Sequence, residues 1–157
     1  MQHFLKWISA LKLNLISFVG IICIFNLIAF QSPLLSYALS VSDLNSIDGL
    51  IQILSLEILQ ICLLAGSLFF LSGLSISIMK WVVAILFVCN AFGLYFMISY
   101  GIEIDRSMIA NVINTDSREA SELLHISVIV PAFFLGLLPS FFVISVNVNG
   151  PRRIWRF

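Results

Sequence analysis

The chain has 157 residues, of which 61% are hydrophobic and only 10% are charged, and its formal net charge is zero. Its mean hydropathy is +1.10, and a soluble domain of this length could not bury so many apolar residues. We therefore predict an integral membrane protein. No run alternates polar and apolar residues with period two, which excludes a closed β-barrel and leaves an all-α membrane fold.

Four apolar runs are long enough to cross a hydrocarbon core of about 30 Å as helices. They cover residues 13–30, 50–71, 81–100 and 126–148. The first run is longer than the apolar part of a secretory signal, and no small-residue cleavage pattern follows Phe30, so we interpret it as an uncleaved helix. The sequence therefore predicts four transmembrane helices.

Basic residues divide unevenly between the two sides of this four-span arrangement. Because Lys and Arg concentrate on the cytoplasmic side of membrane proteins, the division predicts cytoplasmic termini and a periplasmic segment at residues 101–125. The six residues on the side of the termini are Lys6, Lys12, Lys80, Arg152, Arg153 and Arg156, and the two on the other side are Arg106 and Arg118.

The first outer loop, residues 31–48, contains Ser32 and Pro33 followed by a tract rich in Ser, Asn and Asp. These residue types interrupt regular structure, yet several leucines keep the loop from being a purely solvated linker. We expect a short helix or turn that lies on the membrane surface.

Glu57 lies within the second predicted span, about 10 Å below its outer end. An unpaired carboxylate at that depth is costly, so Glu57 must be protonated, paired or facing a polar cleft. Gln60 follows three residues later and could face the same interior seam. Two interpretations stay open: a functional residue in a cleft, or a neutral Glu that is hydrogen-bonded to a neighbouring helix.

The glycines and prolines within the spans support two further predictions. Gly66 and Gly73 would allow close approach between the second and third spans. Pro131 and Pro139 should kink the fourth span, because proline cannot donate a backbone hydrogen bond.

Residues 100–124 form the stretch that is best suited to chemistry, and within it residues 105–124 predict a helix. Wound as a helix, they place polar residues on one side and apolar residues on the other, which is typical of an amphipathic helix rather than a span. Asn111, Thr115 and Glu119 recur every four residues, so an amide, a hydroxyl and a carboxylate would form one stripe along the helix.

The same stretch carries a resemblance to a known family. It is similar to the signature in the membrane domain of bacterial phosphoethanolamine transferases, which include lipid A modifying enzymes and the mobile colistin-resistance (polymyxin-resistance) proteins. The order of helices and loops and the segment Gly136 to Pro139 also resemble that family. The pairs that carry the signature are Tyr100-Gly101, Ile104-Asp105, Met108-Ile109, Asn111-Val112, Thr115-Asp116 and Glu119-Ala120.

The resemblance implies an inner-membrane enzyme that moves phosphoethanolamine from phosphatidylethanolamine to a periplasmic acceptor, commonly lipid A of lipopolysaccharide. It also implies that Asn111, Thr115 and Glu119 bind the ethanolamine substrate. A carboxylate flanked by an amide and a hydroxyl suits an ammonium headgroup presented at the lipid surface.

The sequence departs from the family pattern at its end. Family members continue through a fifth span into a large periplasmic domain of the sulfatase type, which supplies a threonine nucleophile and zinc ligands. This sequence ends at Phe157, so we expect an incomplete membrane domain that is inactive alone, with no catalytic residue or metal of its own and with zinc in the missing domain. We reject Thr115 as the nucleophile, because the resemblance assigns it to substrate binding and nothing nearby would activate it.

Two alternative functions remain open at this point. One is a small membrane scaffold or binding protein that uses the outer amphipathic helix as a docking surface. The other is a small proton-coupled transporter in which Glu57 is the coupling carboxylate at a seam between helices.

Overall fold

The computed structural model describes residues 12–43, 46–100 and 126–149 of the chain. Within these ranges the fold is helical, which confirms the predicted all-α membrane class, with two three-residue strands in addition. The described residues divide into two compact units, the first within Met1–Val82 and Phe142–Phe157 and the second within Val83–Phe141. The predicted amphipathic helix at 105–124 lies outside the described residues.

The first apolar run forms helix α1 (Leu15–Phe30), and a second helix, α2 (Ser32–Val41), follows after a bend of 64°. Asn14 begins α1 because its side-chain Oδ1 accepts a hydrogen bond of 2.7 Å from the Ser17 N–H. Pro33 lies in the first turn of α2, where its missing N–H leaves no helical hydrogen bond unmade. The helix expected in the first outer loop is therefore confirmed, and its position on the membrane surface stays a prediction.

The second and third predicted spans form α3 (Ile47–Leu74) and α4 (Ile76–Tyr100). Ser46 caps α3 by accepting a hydrogen bond of 2.9 Å from the Gly49 N–H. At 28 residues, α3 is about 42 Å long, which is longer than the hydrocarbon core. Only 6% of its most apolar 18-residue window is buried, as expected for a helix whose apolar surface faces lipid.

The last apolar run is a broken helix that consists of α5 (Ile126–Pro131), a π-helical turn (Ala132–Leu137) and α6 (Leu138–Ser145). The Leu138 N–H donates to the Phe133 carbonyl five residues earlier, just before Pro139, which has no N–H to continue the α-helical pattern. The disturbance predicted from Pro131 and Pro139 thus takes the form of a π-helical turn between them. The helix ends at Ser145 rather than at 148, since residues 147–149 are extended.

The number of spans depends on how the bent pair is counted. Among the described residues, Ile47–Leu74, Ile76–Ser99 and Ser127–Ser145 are each long and apolar enough to cross a membrane, whereas α1 and α2 qualify only together. The described ranges therefore hold three candidate spans, or four if α1 and α2 form one.

The two strands join the beginning of the first helix to the end of the last. Strand β1 (Lys12–Asn14) pairs in parallel with β2 (Asn147–Asn149), with Lys12 opposite Asn147. Each strand is only three residues long and lies within one residue of a helix, so the hydrophobic pattern of the spans carried no signal for the pairing. The pairing places the two chain segments at the same end of the first unit.

Lys80, near the start of α4, connects that helix to the C-terminal end of the last helix, at the same end of the first unit as the two strands. Its Nζ donates hydrogen bonds of 2.7 Å to the Ile144 carbonyl and 2.6 Å to the Val146 carbonyl. The last carbonyls of a helix lack partners within the helix and carry a partial negative charge, so a lysine at this position is favourable. Lys80 therefore caps the C-terminus of α6.

Close approach of helices occurs at a different glycine from those the sequence indicated. A Cβ atom added at Gly66 or Gly73 would meet no described atom within 4 Å, so among the described residues neither glycine lies at a close contact. A Cβ added at Gly136 would lie 3.2 Å from the Val88 Cα and 3.3 Å from the Ala91 Cβ. The π-helical turn thus packs directly against the backbone of α4 in the second unit.

Candidate functional site

Three polar side chains meet in the first unit at the bend between α1 and α2. The Gln31 Nε2 donates hydrogen bonds of 2.7 Å to the Glu57 Oε1 and 2.9 Å to the Gln60 Oε1. Glu57 and Gln60 are three residues apart on α3, so they share one face of that helix. We call Gln31, Glu57 and Gln60 the Gln31 cluster.

The bend itself brings Gln31 into the cluster. Gln31 is the one residue between α1 and α2, and only 5% of its surface is exposed. Glu57 and Gln60 are partly buried. A bend that turns a glutamine inward therefore supplies a polar partner to the carboxylate on α3.

The Gln31 amide is only partly satisfied. Its two N–H groups are both used by Glu57 and Gln60, whereas its buried Oε1 has no hydrogen-bond partner among the described residues. An unsatisfied buried acceptor costs about 1–3 kcal/mol. The cluster therefore offers a free carbonyl oxygen close to a carboxylate, which is an arrangement that favours a cationic hydrogen-bond donor.

An open groove of about 460 Å³ runs beside the cluster along α3, and we call it the α3 groove. Leucines form most of its wall: Leu34 of α2 and four leucines of α3 between Leu56 and Leu64. Three polar residues, Asn26, Gln60 and Ser67, complete the lining. Gln60 belongs to both the groove and the cluster, so the groove adjoins the cluster at this side chain.

The structure describes two of the site residues predicted from the sequence and leaves three outside the described ranges. Glu57 and Gln60 do face one seam, as the spacing indicated, and they meet there through Gln31. Whether this seam has a function stays a prediction. Asn111, Thr115 and Glu119 lie outside the described residues, and so does the whole stripe.

Gln31 is the member of the cluster that sequence reasoning missed. It lies 26 residues before Glu57, so no helical periodicity links the two. The available signal was a polar residue placed between an apolar run and Ser32-Pro33, where the chain must leave its helix. Such a residue is free to turn its side chain back toward the spans.

In the second unit, polar contacts hold the last span to α4. The Ser140 Oγ, which is buried, donates a hydrogen bond of 2.8 Å to the Ala84 carbonyl. The Tyr95 hydroxyl and the Ser127 Oγ are 2.8 Å apart. Together with the close packing at Gly136, these contacts attach the broken span to α4.

The described part of the chain is poor in possible metal ligands. Residues 12–43, 46–100 and 126–149 contain no group of three His, Cys, Asp or Glu side chains that could hold a metal ion. The zinc that the family resemblance implies therefore has no fitting ligand set in this part of the chain.

Comparison with known proteins agrees with the resemblance. The model of a family described as "Phosphoethanolamine transferase EptA/EptB" matches residues 61–157, which is more than half of the chain. The matched range includes the stripe of Asn111, Thr115 and Glu119 and the segment Gly136 to Pro139. No solved structure matches the chain.

Three curated relatives show the same relationship. The chain is 26% identical over 152 residues to the phosphoethanolamine transferase EptA of Helicobacter pylori, which covers 96% of this chain and 27% of that relative. It is 34% and 35% identical over 74 residues to the phosphatidylethanolamine transferases Mcr-2 and Mcr-1 of Escherichia coli, covering 47% of this chain and 14% of each relative. The chain thus spans only a minor part of the length of these relatives, at a position that corresponds to their membrane domain. With the helical membrane fold and the family match over residues 61–157, the chain belongs to the phosphoethanolamine transferase EptA/EptB family as an N-terminal membrane domain.

Proposed function

We propose that this chain is the donor-binding membrane domain of an enzyme that transfers phosphoethanolamine from phosphatidylethanolamine to an acceptor such as lipid A. The observation that carries the proposal is the family match, which includes the polar stripe of residues 105–124. The names of the two Mcr relatives, phosphatidylethanolamine transferases, support the choice of donor lipid.

Within this domain, we assign binding of the ethanolamine headgroup to Asn111, Thr115 and Glu119. The Glu119 carboxylate would attract the ammonium, and the Thr115 hydroxyl, one helical turn away, would accept another of its N–H groups. As a helix, residues 105–124 would place Asn111 about 12 Å from Glu119, so the Asn111 amide would contact a more distant polar group of the same headgroup.

Catalysis belongs to another part of the whole enzyme in this proposal. The family resemblance assigns the threonine nucleophile and zinc to a periplasmic sulfatase-like domain, so the 157 residues do not transfer phosphoethanolamine by themselves. The role of this chain is to hold the donor lipid in the membrane and to present its headgroup at the outer surface.

The proposed location is the bacterial inner membrane, with both termini cytoplasmic and residues 101–125 periplasmic. Two contacts support the termini being on one side: β1 pairs with β2, and Lys80 caps the end of α6. The excess of Lys and Arg at that end favours the cytoplasmic side.

The proposal is tested by replacing the stripe carboxylate. A chimera joins residues 1–157 to the catalytic portion of the Helicobacter pylori relative, and phosphoethanolamine transfer to lipid A is measured at limiting phosphatidylethanolamine. Glu119→Ala should lower transfer at least about tenfold, because a charge-assisted hydrogen bond to the ammonium is lost. The matched control Glu103→Ala, which also removes one acid from the same segment, should leave transfer unchanged. Equal transfer by both variants would refute the assigned role.

A further inference from the structure

We propose that the Gln31 cluster and the α3 groove together bind one phospholipid whose headgroup carries a primary ammonium. The cluster holds the ammonium, and the groove holds one acyl chain. The choice of lipid rests on the proposed function. The site itself rests on residues between 26 and 67, most of which precede the range matched by the family model.

The first argument is the chemistry of the free acceptors. Among the described residues, Glu57 is paired with the Gln31 amide and with no basic side chain. The unpartnered Gln31 Oε1 belongs to that same amide, so it lies no more than about 5.3 Å from the Glu57 Oε1. A primary ammonium has a positive charge and three N–H donors, so it can satisfy both oxygens at once. A choline ammonium has no N–H and leaves the Gln31 Oε1 unpaired.

The second argument is the length of the groove. From Leu56 to Ser67 the groove follows α3 for about 17 Å. Half of a hydrocarbon core is about 15 Å thick. The groove therefore has the length of one leaflet, and Glu57, next to Leu56, stands at the end where the headgroup of an outer-leaflet lipid belongs.

The third argument is the depth of the cluster in the membrane. Strand β1 and helix α1 extend at most about 34 Å end to end, so they can carry the chain across about one hydrocarbon thickness from Lys12 to Gln31. Along α3, Glu57 is about 26 Å from Leu74. With Leu74 at the inner boundary of a core of about 30 Å, Glu57 lies about 4 Å inside the outer boundary, less deep than the apolar run 50–71 alone predicts. Both estimates place the cluster near the outer boundary, within reach of a lipid headgroup.

Headgroup selectivity tests the cluster. The 157-residue chain is placed in nanodiscs that contain equal amounts of phosphatidylethanolamine and phosphatidylcholine, and the lipids retained after extraction are counted by native mass spectrometry. We expect phosphatidylethanolamine to be preferred by about tenfold. In a Glu119→Ala background, which removes the contribution of the stripe, Glu57→Gln keeps the size of the side chain and should bring the ratio close to one. In the same background Asp48→Asn, which removes an exposed acid from the same helix, should leave the ratio unchanged. A preference that survives Glu57→Gln in that background would overturn the site, and so would equal retention of both lipids by the unsubstituted chain.

The variant Glu119→Ala separates this site from the proposed function. If the site exists, the chain with Glu119→Ala still retains one phosphatidylethanolamine, and adding Glu57→Gln removes it. If Glu119→Ala alone abolishes all selective retention, the cluster binds no lipid while the proposed role of the stripe stands. If only Glu57→Gln has an effect, the site stands and the assignment to Glu119 fails.

Two serines on α3 provide a matched test of the groove. The Ser67 Oγ donates to the Leu63 carbonyl at 2.7 Å and the Ser55 Oγ to the Ile51 carbonyl at 2.6 Å, both in exposed positions. Only Ser67 lines the groove. Ser67→Phe should fill the groove and reduce retention of both lipids several-fold, whereas Ser55→Phe should not, with equal helix content by circular dichroism in both. Retention that is the same for the two variants would contradict acyl-chain binding in the groove.

Discussion

The Gln31 Nε2 lies 2.7 Å from the Glu57 Oε1, so the residue at the bend between α1 and α2 is the partner of the carboxylate on α3. This contact explains how a glutamate is accommodated in an apolar helix. Among the described residues the Glu57 carboxylate has no basic partner, but it is not without a polar contact. It accepts a hydrogen bond from a side chain that the bend directs inward.

Replacing Gln31 should destabilise the first unit modestly. Gln31→Leu removes both hydrogen bonds and also the unsatisfied Oε1, so the losses are partly offset and the expected cost is about 1 kcal/mol. The free energy of unfolding in mixed micelles, measured by SDS titration, checks this. Gln52→Leu on the exposed face of α3 is the control. It removes only a long, exposed hydrogen bond of 3.4 Å from the Ser42 hydroxyl and should change stability by less than about 0.5 kcal/mol. A larger loss for Gln52→Leu than for Gln31→Leu would contradict the role of the cluster.

Lys80 should contribute through its contacts with the end of α6. Lys80→Met removes the donor to the Ile144 and Val146 carbonyls, and we expect a loss of about 1–2 kcal/mol because hydrogen bonds from a charged donor exceed neutral ones. Lys80→Arg keeps a donor and should retain much of the stability. Lys12→Met, at an exposed residue of β1, serves as the charge-matched control. If Lys80→Met and Lys12→Met lower the melting temperature in detergent by the same amount, the contacts of Lys80 with the end of α6 do not stabilise the protein.

Gly136 should tolerate a methyl group less well than Gly66 does. A Cβ at Gly136 meets the backbone of Val88 at 3.2 Å, and overpacking of a tight contact costs about 1–3 kcal/mol. Gly66→Ala adds a methyl group where no described atom is near, and alanine is favoured over glycine in a helix by up to about 1 kcal/mol. Melting temperatures of the two variants should therefore shift in opposite directions. Equal shifts would contradict close packing of the π-helical turn on α4.

Thr115→Val distinguishes headgroup binding from nucleophilic catalysis. If Thr115 only accepts a hydrogen bond from the ammonium, Thr115→Val should raise the KM for phosphatidylethanolamine in the chimera several-fold with a smaller change in kcat, and Thr115→Ser should restore it. A nucleophile would instead be essential, so complete loss of transfer at saturating lipid in Thr115→Val would contradict the assignment. Phosphoethanolamine transfer at a series of lipid concentrations is the measurement.

The spans could be predicted because their signal is local. An apolar run such as 50–71 is too long for anything but a buried or membrane-spanning helix, and the structure extends it to Ile47–Leu74 through the cap at Ser46. The disturbance at Pro139 was predictable for the same reason, since a proline always lacks its N–H. That the disturbance is a π-helical turn could not be predicted. The turn packs against Val88 and Ala91 of α4, and the local sequence carries no information about that contact.

The candidate site could be predicted only in part. Glu57 and Gln60 are linked by helical spacing, so their common face was visible from the sequence. Gln31 joins them through the direction of a bend, and β1 joins β2 across nearly the whole chain. Contacts between distant residues of this kind follow from the tertiary fold rather than from periodicity, so a single sequence does not reveal them.

Labelling of an engineered cysteine at position 119 tests the central claim, that a polar stripe faces the periplasmic surface where it can meet a lipid headgroup. The native residues Cys23, Cys62 and Cys89 are first replaced by alanine, and Glu119→Cys is then treated in intact cells with a membrane-impermeant maleimide. We predict labelling from the periplasmic side that excess phosphatidylethanolamine headgroup analogue slows. Labelling only after the inner membrane is opened, or no labelling at all, would contradict the claim.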